Sequence, residues 1–207
     1  MTGIIAQNVG RTSGLIKSAS GGGGAWTKIK EITASADSEI SFVDGTDDVV
    51  LDSTYPIYVF KFIGIHPASY SQFQMNLSTD SGSNYNVTKT TTMFRSNQAE
   101  SGSEATIQYQ GSSDLAQSSS DQRISFDLSN LDDASLSGTM FLFNPSSTTF
   151  VKHFISNVQH MQGDPASTNV YVAGYGNTTS AIDAIQFKMA SGNIDAGTFK
   201  LYGLGDS

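Results

Sequence analysis

From Trp26 onward the chain keeps returning to one pattern, apolar then polar then apolar, and a stretch that alternates in this way buries a face only as a β-strand. In YPIYVFKFIGIHP the alternation puts Tyr58, Phe60 and Phe62 on one face and Ile57, Val59, Ile63 and Ile65 on the other. Apolar residues on both sides predict an interior strand. Pro56 and Pro67 mark its ends, because proline cannot donate to a sheet ladder. SQFQMNLST sets Phe73, Met75 and Leu77 against Gln72, Gln74, Asn76 and Ser78, the pattern of a sheet wet on one side.

ATIQYQG repeats the pattern with Ile107 and Tyr109, and RISFDLSNL repeats it with Ile124, Phe126 and Leu128. GTMFLFNP and NVYVAGYGN add further strands, and TFVKHFISNVQHM is long enough to predict a bulge or bend. WTKIKEITAS and SEISFVDG read as an opening pair meeting near Ala36 and Asp37. AIDAIQFKM and GTFKLYGL read as a closing pair, joined by ASGNIDAG with its turn residues Gly192, Asn193 and Gly197. QAESGSEA and LAQSSSDQ are polar, solvent-facing loops. No segment carries a convincing helical period. The expectation is an all-β chain, a two-sheet β-sandwich of jelly-roll kind over 26–207, preceded by an extended N-terminal arm at 1–25.

That arm, MTGIIAQNVGRTSGLIKSASGGGGA, is too polar for a membrane span and too rich in glycine for a helix. It lacks the basic end, apolar block and cleavage site of a signal peptide, so export by that route is not expected. Gly21 to Gly24 separate it from the sandwich as a hinge. Fully extended, it would reach roughly 80 to 90 Å, farther than a small domain is wide. Ordering it costs about 1 to 2 kcal/mol per residue, so on a free chain it is expected to stay disordered and open to protease. Ile4, Ile5, Leu15 and Ile16 are the aliphatic anchors that such an arm would seat in grooves of a partner protein. A purely solvated tail has no physical use for them. Lys17 beside the glycines does not make a phosphate loop, because the GxxxxGK[ST] spacing is absent.

Chemistry is harder to find. The chain has no cysteine, which removes disulfides, thiol nucleophiles and cysteine metal sites. With 11 Lys+Arg against 19 Asp+Glu the formal net charge is -8, and the basic residues are scattered. Neither nucleic acid nor an anionic membrane is an expected partner. His66, His153 and His160 match no metal motif, and the odd separation of the last two puts them on opposite faces of a strand. The G-x-S-x-G elbow of serine hydrolases does not occur. Asp127, Asp132, Asp133 and Asp183 are carboxylates of turns or wet strands, not an evident glycosidase pair.

Asp44, Asp47, Asp48 and Asp52 crowd VDGTDDVVLD, where a solvated acidic turn is favoured over a Ca2+ loop, since the EF-hand spacing is missing. Tyr70, Tyr85 and Tyr175 flank loops, where a tyrosine either lids the core or stacks on a sugar; they are the candidate ligand-facing residues. No cofactor is expected, and no enzyme.

The opening GIIAQNVGRTSGLIKS resembles the leader of structural proteins from tailed bacteriophages of marine bacteria, especially of marine cyanobacteria. YVFKFIGIHP, TKTTTMFR, LFNPSSTTFVKHF and VAGYGNTTSAIDAIQFKMASGNIDAGTFKLYGL are similar to the body of the same group, and the terminal GTFKLYG resembles a GT...LYG pattern that recurs widely in phage virion proteins and is more specific than the motifs considered above. The resemblance spans most of the chain. It implies a virion component with a β-sandwich, carries over no catalytic residues, and makes the leader a docking element shared by differing domains. Capsid decoration and fibre head both fit it. A tail-tip module binding a host receptor or glycan is the alternative, and a polysaccharide-degrading enzyme the less favoured one. The expected partners are other virion proteins through the arm, further copies of the chain in a trimer or higher assembly, and a host-surface glycan.

Overall fold

The computed structural model describes residues 26–205. The arm, with Ile4, Ile5, Leu15 and Ile16, lies outside the described residues. Within them are twelve strands and no helix. In chain order these are β1 (Trp26–Asp37), β2 (Glu39–Val43), β3 (Ile57–Pro67), β4 (Phe73–Ser78), β5 (Lys89–Ala99) and β6 (Ala105–Tyr109). Then come β7 (Gln122–Arg123), β8 (Leu136–Phe143), β9 (Lys152–Met161), β10 (Ala166–Gly176), β11 (Ala184–Met189) and β12 (Ile194–Leu204). They form an eight-stranded sheet of order β1-β12-β3-β8-β9-β10-β5-β6 and a four-stranded sheet of order β2-β11-β4-β7. The two antiparallel sheets pack as a sandwich.

The pairings show how the chain winds. β1 pairs with β12, β2 with β11, β3 with β8 and β4 with β7, as if the chain first made one long hairpin. Rolling that hairpin then brings β12 against β3 and β11 against β4. This is the jelly roll. The remaining four strands are additions. The β5–β6 and β9–β10 hairpins extend the large sheet beyond β8 and leave the small sheet at four strands.

Between the sheets lies one apolar cluster, with Phe187 of β11 at its centre. Its ring lies 5.0 Å from that of Phe62, 5.4 Å from Phe60, 5.8 Å from Phe73 and 5.9 Å from Phe199, centroid to centroid. Each such buried side chain contributes about 1.5 to 3 kcal/mol. Strands from both sheets therefore meet on one residue.

Several expectations need correction. The two faces assigned to β3 do not run its whole length, because β3 advances three residues from Phe62 to Ile65 while β8 advances two. Gly64 sits at this bulge with φ +58, a conformation that costs other residues energy. Ile65 is thereby buried with Phe62, and Ile63 is turned out to solvent. By contrast, β9 keeps an unbroken register with both neighbours, without the bulge its length suggested.

The opening and closing pairs are not hairpins. β1 and β2 belong to different sheets, as do β11 and β12, and the left-handed residues Ala36 and Gly192 redirect the chain at the crossings. RISFDLSNL contributes only Arg123 to a strand, β7, yet Ile124 and Leu128 are still buried, Leu128 bridging to Ser71 and Gln162. The polar side of β4 is not wet either. Asn76 and Ser78 are buried, Asn76 beneath the LAQSSSDQ segment and Ser78 against the turn at Asp80.

Candidate interaction surface

Alternation on the four added strands points Val158, Val170, Val172 and Met93 into the core. The intervening residues face outward, and several of them are large and apolar. Ile107 is 80% exposed and Tyr109 60%, with Phe94, Ile155 and Tyr171 also open to solvent. Register aligns them: Tyr109 opposes Phe94, Phe94 opposes Tyr171, and Tyr171 opposes Asn157. Phe94 and Tyr171 stack with centroids 5.2 Å apart and planes 7° from parallel. Around this strip lie amide groups. Asn157 Nδ2 donates to Asn169 Oδ1 at 3.0 Å, and Asn169 Nδ2 donates to the Val158 carbonyl at 3.1 Å. The Tyr109 hydroxyl donates to Asp114, whose carboxylate raises the phenol's pKa.

The same outward face continues to the opposite edge of the sheet. Tyr202 and Phe141 both pair with Val59, and Trp26 pairs with Leu204. Trp26 meets Tyr202 edge to face at 5.7 Å, and Lys61 Nζ lies 4.6 Å from the Trp26 centroid and 5.6 Å from that of Tyr202. The cation holds both rings on the sheet. Trp26 opens β1, an edge strand of the large sheet.

The three candidate tyrosines fall in different surroundings, and no ring pairing joins any two of them among the described residues. Tyr70 packs over Gly163, where an added Cβ would lie 2.2 Å from its ring. Burial and the neighbouring Asp127 push its phenol up to about 12. Tyr85 lies against Gly82 and Val43, with its phenol pKa raised first by burial. Only Tyr175 belongs to the outer face, with its ring 6.2 Å from that of His153.

The acidic turn is exposed. Asp44 Oδ1 accepts from the Leu51 amide at 2.8 Å and Asp52 Oδ1 from the Thr54 amide at 2.7 Å, so these carboxylates cap the backbone of their own loop. Asp47 and Asp48 hold left-handed backbone there. No group of three His, Asp or Glu side chains with metal-binding geometry occurs among the described residues. His153 and His160 do lie on opposite faces, the first exposed and the second fully buried.

Sequence reasoning missed Phe94, Ile155 and Tyr171. The signal was present, since TTTMFRSN places Phe94 on the face of Thr90 and Thr92, and NVYVAG places Tyr171 opposite Val170 and Val172. A single aromatic on the polar face of a strand is ordinary; several in register, as here, make a contiguous exposed apolar strip.

No protein-family model matches the chain. No curated protein matches it either.

Proposed function

We propose that this chain is a structural protein of a phage virion, an appendage held to the particle by residues 1–25 and presenting its jelly roll outward. The observation that carries this reading is that Trp26 to Gly205 form one sandwich around one core, with Trp26 opening β1 at an edge of the large sheet. The sequence likeness to marine phage structural proteins supports the same assignment. Jelly rolls also occur widely in viral capsid and lectin domains, although a fold alone fixes no function. In this reading Ile4, Ile5, Leu15 and Ile16 seat in grooves of another virion protein. The apolar strip on the added strands packs against further copies of the chain in a trimer or higher assembly, where repetition adds avidity.

Quantitative mass spectrometry of purified particles tests this. The chain should be a stoichiometric component of the virion, and its absence from washed particles would contradict the assignment.

A second reading is favoured by one observation, the amide groups of Asn157 and Asn169 beside the Tyr109, Phe94 and Tyr171 strip. Aromatic and amide groups side by side are what a tail-tip module would use on a host glycan. Copy number separates the two: hundreds per particle mean capsid decoration, small multiples of three or six mean adsorption apparatus.

A further inference from the structure

Lys89 is fully buried, and its ammonium group finds no carboxylate hydrogen-bond partner. Nζ donates only to the Val87 carbonyl at 2.8 Å and to Asn76 Oδ1 at 2.5 Å. Burial favours the neutral amine, with the nearby Asp121 opposing it, and the pKa falls to about 8. A lysine so placed is a nucleophile resting against an amide carbonyl.

The Asn76 amide is held at every atom. Oδ1 also accepts from the Leu77 backbone amide at 2.9 Å, while Nδ2 donates to the Ser119 carbonyl at 3.1 Å and to Asp121 Oδ1 at 2.9 Å. These four contacts fix which end is oxygen and which is nitrogen. They also put the groups of an acyl transfer in place. Nζ is the nucleophile, the Leu77 N–H faces the oxygen on which negative charge develops, and Asp121 touches the nitrogen that would leave. Asp121 is held by a salt bridge to Lys188 at 2.8 Å.

We propose that Lys89 and Asn76 join in an intramolecular isopeptide bond, Nζ displacing Nδ2 at Asn76 Cγ with release of one ammonia. The neutral amine adds to Cγ, breaking the C=O π bond and leaving an oxyanion facing the Leu77 amide. In the adduct both nitrogens sit on Cγ, and one proton passes from Nζ to Nδ2, relayed by Asp121, which is already hydrogen-bonded to Nδ2. The C=O re-forms, the Cγ–Nδ2 bond breaks, and ammonia departs with three hydrogens, one remaining on the new amide nitrogen. No oxidant, reductant or cofactor is needed. The product closes a ring from residue 76 to residue 89 and ties β4 of the small sheet to β5 of the large one. It replaces a buried ammonium with a neutral amide, removing the cost of burying charge. The inference stands apart from the virion reading and holds or fails without it.

The test is peptide mapping of the full-length folded chain after denaturation and trypsin. Between Lys61 and Arg95 the only cleavable residue is Lys89. The bond blocks that cut, so the expected product is a single cyclic peptide, Phe62–Arg95, lighter than its sequence mass by one ammonia. A major peptide ending at Lys89 with its full sequence mass overturns the proposal. Loss of ammonia with cleavage after Lys89 intact would mark a succinimide at Asn76 and equally overturns it. In Asp121→Ala the bond should form at least about a hundredfold more slowly, leaving cleavable Lys89 in fresh protein. Formation at the unaltered rate would remove Asp121 from the step.

Discussion

Phe94 and Tyr171 stack nearly parallel across β5 and β10, on the side of the large sheet that turns away from the core. The pair joins the two added hairpins and stands open to solvent. Changing both to serine should cost the isolated chain only about 0.5 to 1.5 kcal/mol, the worth of an aromatic pair. The self-association proposed for this face should disappear. Sedimentation of wild type and variant at high concentration measures this, and assembly that survives the change would place the interface elsewhere.

His160 is buried without a hydrogen-bond partner, and desolvation, with Asp127 opposing and Arg95 reinforcing, lowers its pKa to about 4. The unfolded chain binds a proton near pH 6.5 and the folded one does not. Stability is therefore full above about pH 6.5 and falls as pH drops toward 4, by about 3 kcal/mol from this group. Asp52 and Asp80 have lowered pKa values, so their own losses begin only in more acidic solution. Denaturant midpoints at pH 7 and pH 4.5 should converge in His160→Leu relative to wild type.

Gly138 of β8 pairs directly with Val158 of β9. An added Cβ would sit 2.4 Å from the Asn157 carbonyl oxygen and 2.7 Å from Val158 Cα, and backbone cannot swing aside. Gly138→Ala should destabilise by about 3 kcal/mol. Gly64→Ala meets no atom within 4 Å and carries only the left-handed backbone cost, about 1 to 2 kcal/mol. Thermal melts of the two variants should rank in that order.

Phe187 touches five other phenylalanine rings drawn from both sheets. Phe187→Ala should cost about 3 to 5 kcal/mol, and Phe187→Leu substantially less because it leaves a smaller cavity. Chemical denaturation with unchanged slope would show that the loss is in packing alone.

Alternation made most strands legible, since Phe73, Met75 and Leu77 can share a face only in a strand, and that face is buried. It could not reveal where a face switches. Gly64 moves Ile65 inward and Ile63 outward, and a single glycine inside an apolar run does not announce a bulge. Nor does period 2 say which sheet a strand joins, because β11 and β12 are neighbours in sequence yet cross between sheets. Buried polar side chains were hidden for a different reason. Lys89, Lys152, Asn76 and His160 read as surface residues until distant segments cover them, as Ser119 and Asp121 cover Asn76. Tyr70, Tyr85 and Tyr175 stand out in the sequence by lying near loops, whereas Phe94 and Tyr171 lie inside strands.

The central claim is that residues 1–25 attach this chain to the particle while the sandwich folds without them. Deleting residues 2–24, and assaying both the soluble protein and particles of the virion that the proposed function assigns it to, tests it most directly. The account predicts a truncated chain that melts at the full-length temperature and is missing from the virion. Incorporation at the full-length level, or a sandwich that no longer folds, would contradict it.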